Sequence, residues 1–560
     1  MLWRVRPVAL DLALGTLGVA FGAFSLAFPF GRDQGLYAYV GREWLEHGAI
    51  PYLDTFEQKT PGVFLVHVLA IAVFGETTAG VRAIELLATA LLGVLCADLA
   101  RPPRAPSPAG LRGAGVVFSS VLYYGFYGYW DTAQCELVCV LASVASLWAV
   151  TRRRPERRAW LLGGLCAGVA VVMKPPGALL VLVAVGAAVA RRMRGPGPRG
   201  RGVLATLAWM GLGGAIVPAL LVAYFAAHHA LAAAKDVLVG ANGYYLMHER
   251  NVTSLADGIE QVTDRYDPRR PLVALLSLAL LAVPLLGRLP RPQRRARTGR
   301  TLALLLAALC TVVVQLKFYM YHWSTFVGPL TLLATTSLAG LVASRRRAGL
   351  WIACATAVFG GAYALDPDAA PQWAESTRAV AMHLTGRMDR EHFLDSFRAD
   401  GPRFWDAEQV GLWLRDHTTP GETVAVRAFD PEIYFTAHRR YGCRFFWTLF
   451  LTWPSRAYRR QDFLAEERSC FQAHPPRYVV AVTAEKDGPD SAAWFEAMGY
   501  VRLWSRAEFT MMEPRDASIT ASSAPDGAPA TTAAPVPTAT AAPTATQPVP
   551  QKPGMLDTSN

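Results

Sequence analysis

The sequence is short of charge. Only 18% of its 560 residues are Asp, Glu, Lys or Arg, against about a quarter in an ordinary soluble protein. Eight cysteines in this length are too sparse for a secreted disulfide scaffold. No Walker phosphate loop, CxxC zinc pattern, HExxH or GxSxG occurs, which leaves out the enzymes that depend on those motifs. No internal repeat is visible, which counts against many secondary transporters. What is abundant is apolar sequence. Hydrophobic residues make up 52%, and they fall in blocks too long and uniform for the cores of soluble domains.

A helix needs roughly 20 apolar residues to cross about 30 Å of hydrocarbon. Eleven stretches are expected to span: 8–30, 79–99, 113–130, 132–150, 158–173, 176–190, 203–228, 271–287, 301–317, 320–343 and 348–365. The apolar run 61–74 is shorter and reads as a re-entrant or interfacial helix. The net charge of +12 has a topological explanation. Arginines cluster in alternate connections, from Arg4 and Arg6 through Arg101, Arg104 and Arg112 to Arg345, Arg346 and Arg347. These connections hold about 24 Arg and one acid, Glu156. With eleven spans they all fall on one side, which the positive-inside rule assigns to the cytoplasm. The N-terminus is then cytoplasmic, the first helix is a signal anchor, and nucleic acid is not a partner.

The expected fold is a polytopic α-helical membrane protein with three regions. Residues 1–365 form a transmembrane core whose first outer loop is 31–78. Residues 366–514 form an extracytoplasmic soluble part. Its textures alternate between helix-like (AEQVGLWLRDH, SAAWFEAMG) and strand-like (ETVAVRAF, RYVVAVT), as in a small α/β domain. Residues 515–560 are Ala-, Pro- and Thr-rich and should be disordered. Cys443 and Cys470 lie in the soluble part. On an oxidising side they can pair, or they can be two small hydrophobes. The other cysteines sit in or beside spans and read as packing residues.

The first outer loop carries the most chemistry. Asp33 follows the first span directly, where a carboxylate must face water or a partner. Residues 35–47 place Leu36, Tyr39, Val40 and Trp44 on one face, as in a helix lying in the interface. Asp54, Glu57 and Lys59 follow, just before Pro61 and Gly62.

This loop resembles that of the GT-C glycosyltransferases, in particular the dolichyl-phosphate-mannose protein mannosyltransferases and the lipid A aminoarabinose transferases of glycosyltransferase family 39. The matching residues are Asp33, Gly35, Tyr37, Gly48, Pro51, Tyr52, Asp54, Lys59, Pro61 and Gly62. Gln34 replaces the usual Glu of an Asp-Glu pair, and Thr60 replaces the first Pro of K-P-P-G. The resemblance extends in outline over residues 5–510. It implies a GT-C fold and transfer of a sugar (a hexose or pentose) from a polyprenyl-phosphate carrier to a lipid, protein or polysaccharide acceptor, with inversion. It also implies Asp33 as the catalytic base and Lys59 as a holder of the donor phosphate.

The residue chemistry agrees. A carboxylate can accept a proton from an acceptor hydroxyl or amine, and an ammonium can hold a phosphate as a point charge. Set against these, Asp33 can cap its helix and Lys59 can snorkel from a helix end. Arg82 opens a span on the outer side, against the charge bias. It is a second phosphate candidate or the partner of Glu76 or Glu85. Lys174, in VVMKPPGALL, is a third phosphate candidate beside a Pro-interrupted segment. His322, in KFYMYHWSTF, can orient donor or acceptor. Gln34, Tyr37, Asp54 and Glu57 complete the candidate substrate contacts; Asp54 and Glu57 read equally as ordinary loop acids. No cofactor is required by the sequence. A divalent cation is possible, with no ligand set assigned. Because the polar site faces outward, a nucleotide sugar is a poor donor. Two other readings stand beside this one: a transporter or flippase for lipid-linked sugars, and a non-catalytic relative in cell-envelope assembly. The Ala/Arg-rich composition points to a bacterial inner membrane.

Overall fold

The computed structural model describes residues 7–101, 107–152, 156–195, 199–248, 291–343, 371–397, 404–427, 430–453, 456–482 and 491–515. The expected spans 271–287 and 348–365 and the tail beyond 515 lie outside these residues. The chain is mainly helical. Its first half runs α1 (Pro7–Ala23), α2 (Arg32–Glu46), α3 (Pro61–Phe74), α4 (Thr78–Ala100), α5 (Leu111–Tyr124), α6 (Cys135–Arg152), α7 (Glu156–Met173), α8 (Ala178–Met193) and α9 (Arg199–Ala227).

Among the described residues, five segments are long and apolar enough to cross a membrane: Val8–Ala27, Thr78–Ala100, Cys135–Arg152, Pro175–Met193 and Gly200–Ala227. Their burial differs in a telling way. Most of α4 and α6 is buried in the protein, whereas only 22% of the apolar window of α9 is. Exposed leucines on α9, such as Leu204, Leu212 and Leu220, need a hydrocarbon surround. The run 61–74 is a helix of 14 residues, about 21 Å long and so short of the hydrocarbon thickness. The expected span 320–343 is interrupted: a helical turn at Met320–Trp323 and a 3₁₀ turn at Ser324–Phe326 precede the helix Val327–Ala343. The break falls on the polar aromatic cluster around His322, whose side chains are taken up by contacts with other elements.

One expectation for the first loop is corrected. α2 does not lie on an interface. Residues Gln34 to Glu43 are buried on every face, because α2 is enclosed by α3 and by the C-terminal part of the chain. Its polar side bonds to other parts of the protein. Arg42 pairs with Glu43 at 3.3 Å and donates to the Tyr434 carbonyl at 3.1 Å.

The C-terminal part contains a four-stranded sheet in the order β1-β2-β4-β3: Val424–Arg427, Tyr478–Val482, Phe509–Pro514 and Tyr500–Arg506. β1 and β2 run parallel, with Val424 opposite Tyr478. β4 lies antiparallel to both β2 and β3. β1 and β2 are buried throughout, as expected of continuous apolar runs in a covered parallel pair. The helices Phe404–His417, Arg460–Ala473 and Ser491–Ala497 accompany the sheet. Cys443 and Cys470 are joined as a disulfide.

This part is stitched to the first loop. The Phe56 N–H donates to the Arg444 carbonyl at 2.9 Å, Trp447 Nε1 donates to the Phe56 carbonyl at 3.0 Å, and the Tyr441 N–H donates to the Tyr39 hydroxyl at 2.9 Å. One apolar core therefore runs from Tyr37 and Phe64 through Phe56 to the sheet.

Candidate active site

The loop between α2 and α3 is shaped by local bonds before it reaches any substrate. Tyr52 adopts a positive φ of 73°, a strained conformation for a non-glycine residue. Three bonds hold it: its N–H donates to the Thr55 carbonyl at 2.9 Å, its hydroxyl donates to the Lys59 carbonyl at 2.8 Å, and its carbonyl accepts from Arg444 Nε at 2.9 Å. Asp54, exposed, accepts from the Ile50 N–H at 2.6 Å and closes the same turn. The Pro-Tyr-x-Asp pattern thus builds the turn that delivers Lys59.

The loop then docks on the end of α7. The Thr60 hydroxyl donates to the Met173 carbonyl at 2.7 Å. An added Cβ on Gly62 would stand 2.7 Å from the Val172 carbonyl oxygen, so only glycine allows this approach. Lys174 follows Met173. Docking therefore brings Lys59 and Lys174 to one place, 5.3 and 5.5 Å from the centre of the Tyr321 ring. A cation over a tyrosine face is a favourable contact, and here two ammonium groups share one ring.

The carboxylates gather around it. Gln134 donates to Asp33 at 3.3 Å and accepts from the Tyr37 hydroxyl at 3.2 Å. The Lys59 ammonium is 5.8 Å from the centre of the Tyr37 ring. Glu136 is fully buried, ion-paired to Lys174, and 4.0 Å from His322 Nε2. Burial opposes the charge of Lys59, but the Asp33 and Glu136 carboxylates favour it, and the ammonium is held well above its ordinary range. Burial pushes the Glu57 carboxyl up to about 7, against the pull of Lys59, while its Oε1 accepts the Lys59 N–H at 3.1 Å. Asp131 is likewise pushed up to about 7, by burial first and then by Asp33 and Glu136, with the Tyr321 backbone N–H opposing.

Besides Asp54, which closes the turn, two candidates are placed differently. Arg82 is buried and braces the turn between α5 and α6. It donates to the Thr132 hydroxyl at 2.6 Å and to the Tyr129 carbonyl at 3.4 Å, and it pairs with Glu85 at 3.5 Å. Its contacts follow the ion-pair reading. Gln34 is also buried, and donates to the Thr132 carbonyl at 2.6 Å. Asp33, Tyr37, Glu57, Lys59, Lys174 and His322 are brought together. Asp131, Gln134, Glu136 and Tyr321 join them without having been singled out in the sequence. Asp131 and Glu136 were findable, as acids at the mouth of two spans; Gln134 and Tyr321 carried no signal. Among the described residues no three His, Cys, Asp or Glu side chains are grouped to hold a metal ion.

The fold is that of the GT-C membrane glycosyltransferases. Residues 58–210 match the model of the dolichyl-phosphate-mannose-protein mannosyltransferase family, a stretch that includes Lys59, Arg82 and Lys174. The matched stretch overlaps the first loop only over residues 58–78, so most of this support comes from beyond the loop. ArnT from Cupriavidus metallidurans, in its structure bound to undecaprenyl phosphate, superposes with a TM-score of 0.53 at 14% identity, over 91% of this chain and 98% of that one. Its apo structure gives a TM-score of 0.50 at 14% identity over the same shares. At this identity the likeness is one of fold. No curated protein matches the chain in sequence.

Proposed function

We propose that this chain moves a sugar from a polyprenyl-phosphate donor to an acceptor on the extracytoplasmic side of the membrane. The observation that carries the reading is the juxtaposition of Asp33 with Lys59 and Lys174 around Tyr321. A lipid-linked donor combines a tail, an anionic phosphate and a polar sugar. The exposed apolar surfaces of α3 and α9 suit the tail, the two ammonium groups the phosphate, and the side chains of Tyr37, Glu57 and His322 the sugar or acceptor. The relative solved with undecaprenyl phosphate makes that carrier class the first to test.

In the proposed step the acceptor hydroxyl or amine attacks the anomeric carbon. Its proton passes to the Asp33 carboxylate. The bond from the anomeric carbon to the phosphate oxygen breaks, and the electron pair leaves with the polyprenyl phosphate. Lys59, backed by Lys174, holds the charge that develops there. Single inversion follows from one displacement. The C-terminal part, anchored on α2, would bind acceptor or cover the site.

The topology belongs to the same proposal: eleven spans, a cytoplasmic N-terminus, arginine clusters inside, and the site outside, in a bacterial inner membrane. The Cys443–Cys470 disulfide supports an oxidising location for the C-terminal part. The test supplies purified protein with a radiolabelled polyprenyl-phosphate sugar and membrane acceptors, comparing wild type with Asp33→Asn. Labelling by wild type alone is expected. Equal labelling by both removes Asp33 from the mechanism, and no labelling with any donor removes the reading.

A further inference from the structure

A second polar site lies at the far end of the same helices. α7 has 18 residues and is about 27 Å long. Met173, at its last turn, adjoins the candidate active site, so Glu156 at its first turn lies about one hydrocarbon thickness away. There the ends of α7, α8 and α9 enclose a groove of about 720 Å³. Arg157, Arg191, Arg192 and Arg194 line it, against a single acid, Glu156.

The arginines are not equivalent. Arg191 is held in place: it pairs with Glu156 at 3.6 Å, donates to the Val150 carbonyl at 2.5 Å, and its guanidinium is 5.0 Å from the centre of the Trp160 ring. Arg192 lies across Gly202, where any side chain would collide with the guanidinium. Arg157 and Arg194 are exposed at the rim. The groove is thus a prearranged cationic mouth with aromatic walls, since Trp209 lines it as well as Trp160. Further along the same face of α9, Leu212 is 55% exposed and Ile216 38%.

We propose that this groove binds the headgroup of an anionic phospholipid, with an acyl chain lying along α9. A free anion would use the arginines but leave Trp209 and the exposed apolar positions along α9 without a role. Basic pockets between membrane helices with adjacent lipid-facing surface suit an amphipathic anion, and tryptophan is favoured at the headgroup level.

Phosphatidylglycerol is a suitable probe. The full-length protein is reconstituted in phosphatidylcholine vesicles doped with phosphatidylglycerol, extracted in mild detergent, and examined by native mass spectrometry for retained lipid. Selective retention of phosphatidylglycerol is expected. Arg157→Gln combined with Arg194→Gln should reduce it roughly thirty-fold, each basic residue at an anionic headgroup contributing about fivefold. The doubly lysine-substituted protein, Arg157→Lys with Arg194→Lys, should retain most of it, which separates loss of charge from loss of fold. Equal retention of both lipids overturns the proposal, as does unchanged retention in the Gln variant. Displacement by millimolar inorganic phosphate also overturns it, by identifying a free-anion site. The readout is independent of sugar transfer.

Discussion

The side-chain amide of Gln134 donates to the Asp33 carboxylate across 3.3 Å, although 101 residues separate the two in the chain. The same amide accepts from Tyr37, so the orientation of the Asp33 carboxylate is set from the start of α6. A base must present its lone pair to the acceptor in a fixed direction. Asp33→Asn is expected to lower transfer about 10²- to 10⁴-fold without loss of fold. Gln134→Leu, which leaves the carboxylate chemistry intact but frees its orientation, should lower kcat about tenfold with little change in donor KM. Steady-state kinetics on both variants checks this, and equal losses in the two would place the Gln134 contact in folding rather than in positioning.

Lys59 and Lys174 share Tyr321 but not their other partners. Lys174 is ion-paired with the fully buried Glu136. Removing the lysine alone strands a buried carboxylate, which costs about 3–5 kcal/mol. Lys174→Met is therefore expected to unfold at markedly lower temperature, and Lys174→Met combined with Glu136→Leu to recover most of that loss. Among the described residues Lys59 has no direct ion-pair partner, so Lys59→Met strands none and should chiefly raise donor KM. Thermal unfolding in detergent, set beside donor titrations, separates the two lysines. A stable Lys174→Met protein would show that the pair does not hold the fold.

Several residues that the fold brings together in the candidate site were singled out in the sequence, and the rest escaped for physical reasons. Asp33 and Lys59 stand out because charge at a membrane boundary is expensive and needs a reason. Asp131 and Glu136 obey the same rule at the α5–α6 turn but lie outside any recognisable pattern. Gln134 and Tyr321 are neutral residue types that are common anywhere, and only the fold puts them beside Asp33 and Lys59. α2 misled for a different reason. Its amphipathic spacing fits an interfacial helix, yet the surface that covers its polar side comes from Tyr434 and Arg439, about four hundred residues away in the chain. Local periodicity cannot report a partner at that distance. The helices and strands of the C-terminal part were visible because their apolar periods are local. The parallel pairing of β1 with β2 was not.

Glu57 should make stability depend on pH. Its carboxyl is pushed up to about 7 by burial, above the range of an unfolded glutamate. A group raised in this way favours the fold when protonated. Its contribution is complete below the unfolded value and is lost as pH rises through about 7. Glu57→Gln keeps the neutral shape and removes the titration. The variant should be more stable than wild type at pH 8, by as much as about 3 kcal/mol, and the gain should shrink steadily towards pH 5. Melting curves across that interval check it; a gain that is independent of pH would assign the effect to packing.

The Cys443–Cys470 bond closes a loop over a sequence separation of 27. In the chain-entropy account a loop of this size stabilises by about 3–4 kcal/mol. Reduction, or Cys443→Ser with Cys470→Ser, is expected to lower the unfolding temperature of the C-terminal part. Because this part is bonded to the first loop through Phe56 and Trp447, activity should fall with it. Following intrinsic fluorescence under a thiol titration tests both effects, and a fold indifferent to reductant would leave the bond without a structural role.

Gln34 stands where the resembling family carries Glu, and its geometry explains the difference. The side-chain amide donates to the Thr132 carbonyl at 2.6 Å and to the Trp130 carbonyl at 3.4 Å, with the residue fully buried. Both partners are acceptors. A glutamate here would have to hold a proton to donate to either, or else set a carboxylate against two carbonyl oxygens. Leaving a buried polar group without its bond costs about 1–3 kcal/mol, more if charged. Gln34→Glu is therefore expected to be destabilised by at least about 2 kcal/mol at pH 8 and to recover towards pH 5, where protonation restores a donor. That is the sign expected of a carboxyl whose pKa is raised on folding. Transfer should follow the same course, since the turn carrying Asp131 and Gln134 is held by this bond. A Gln34→Glu protein that is equally stable and active at both pH values would mean that the amide does not brace the turn.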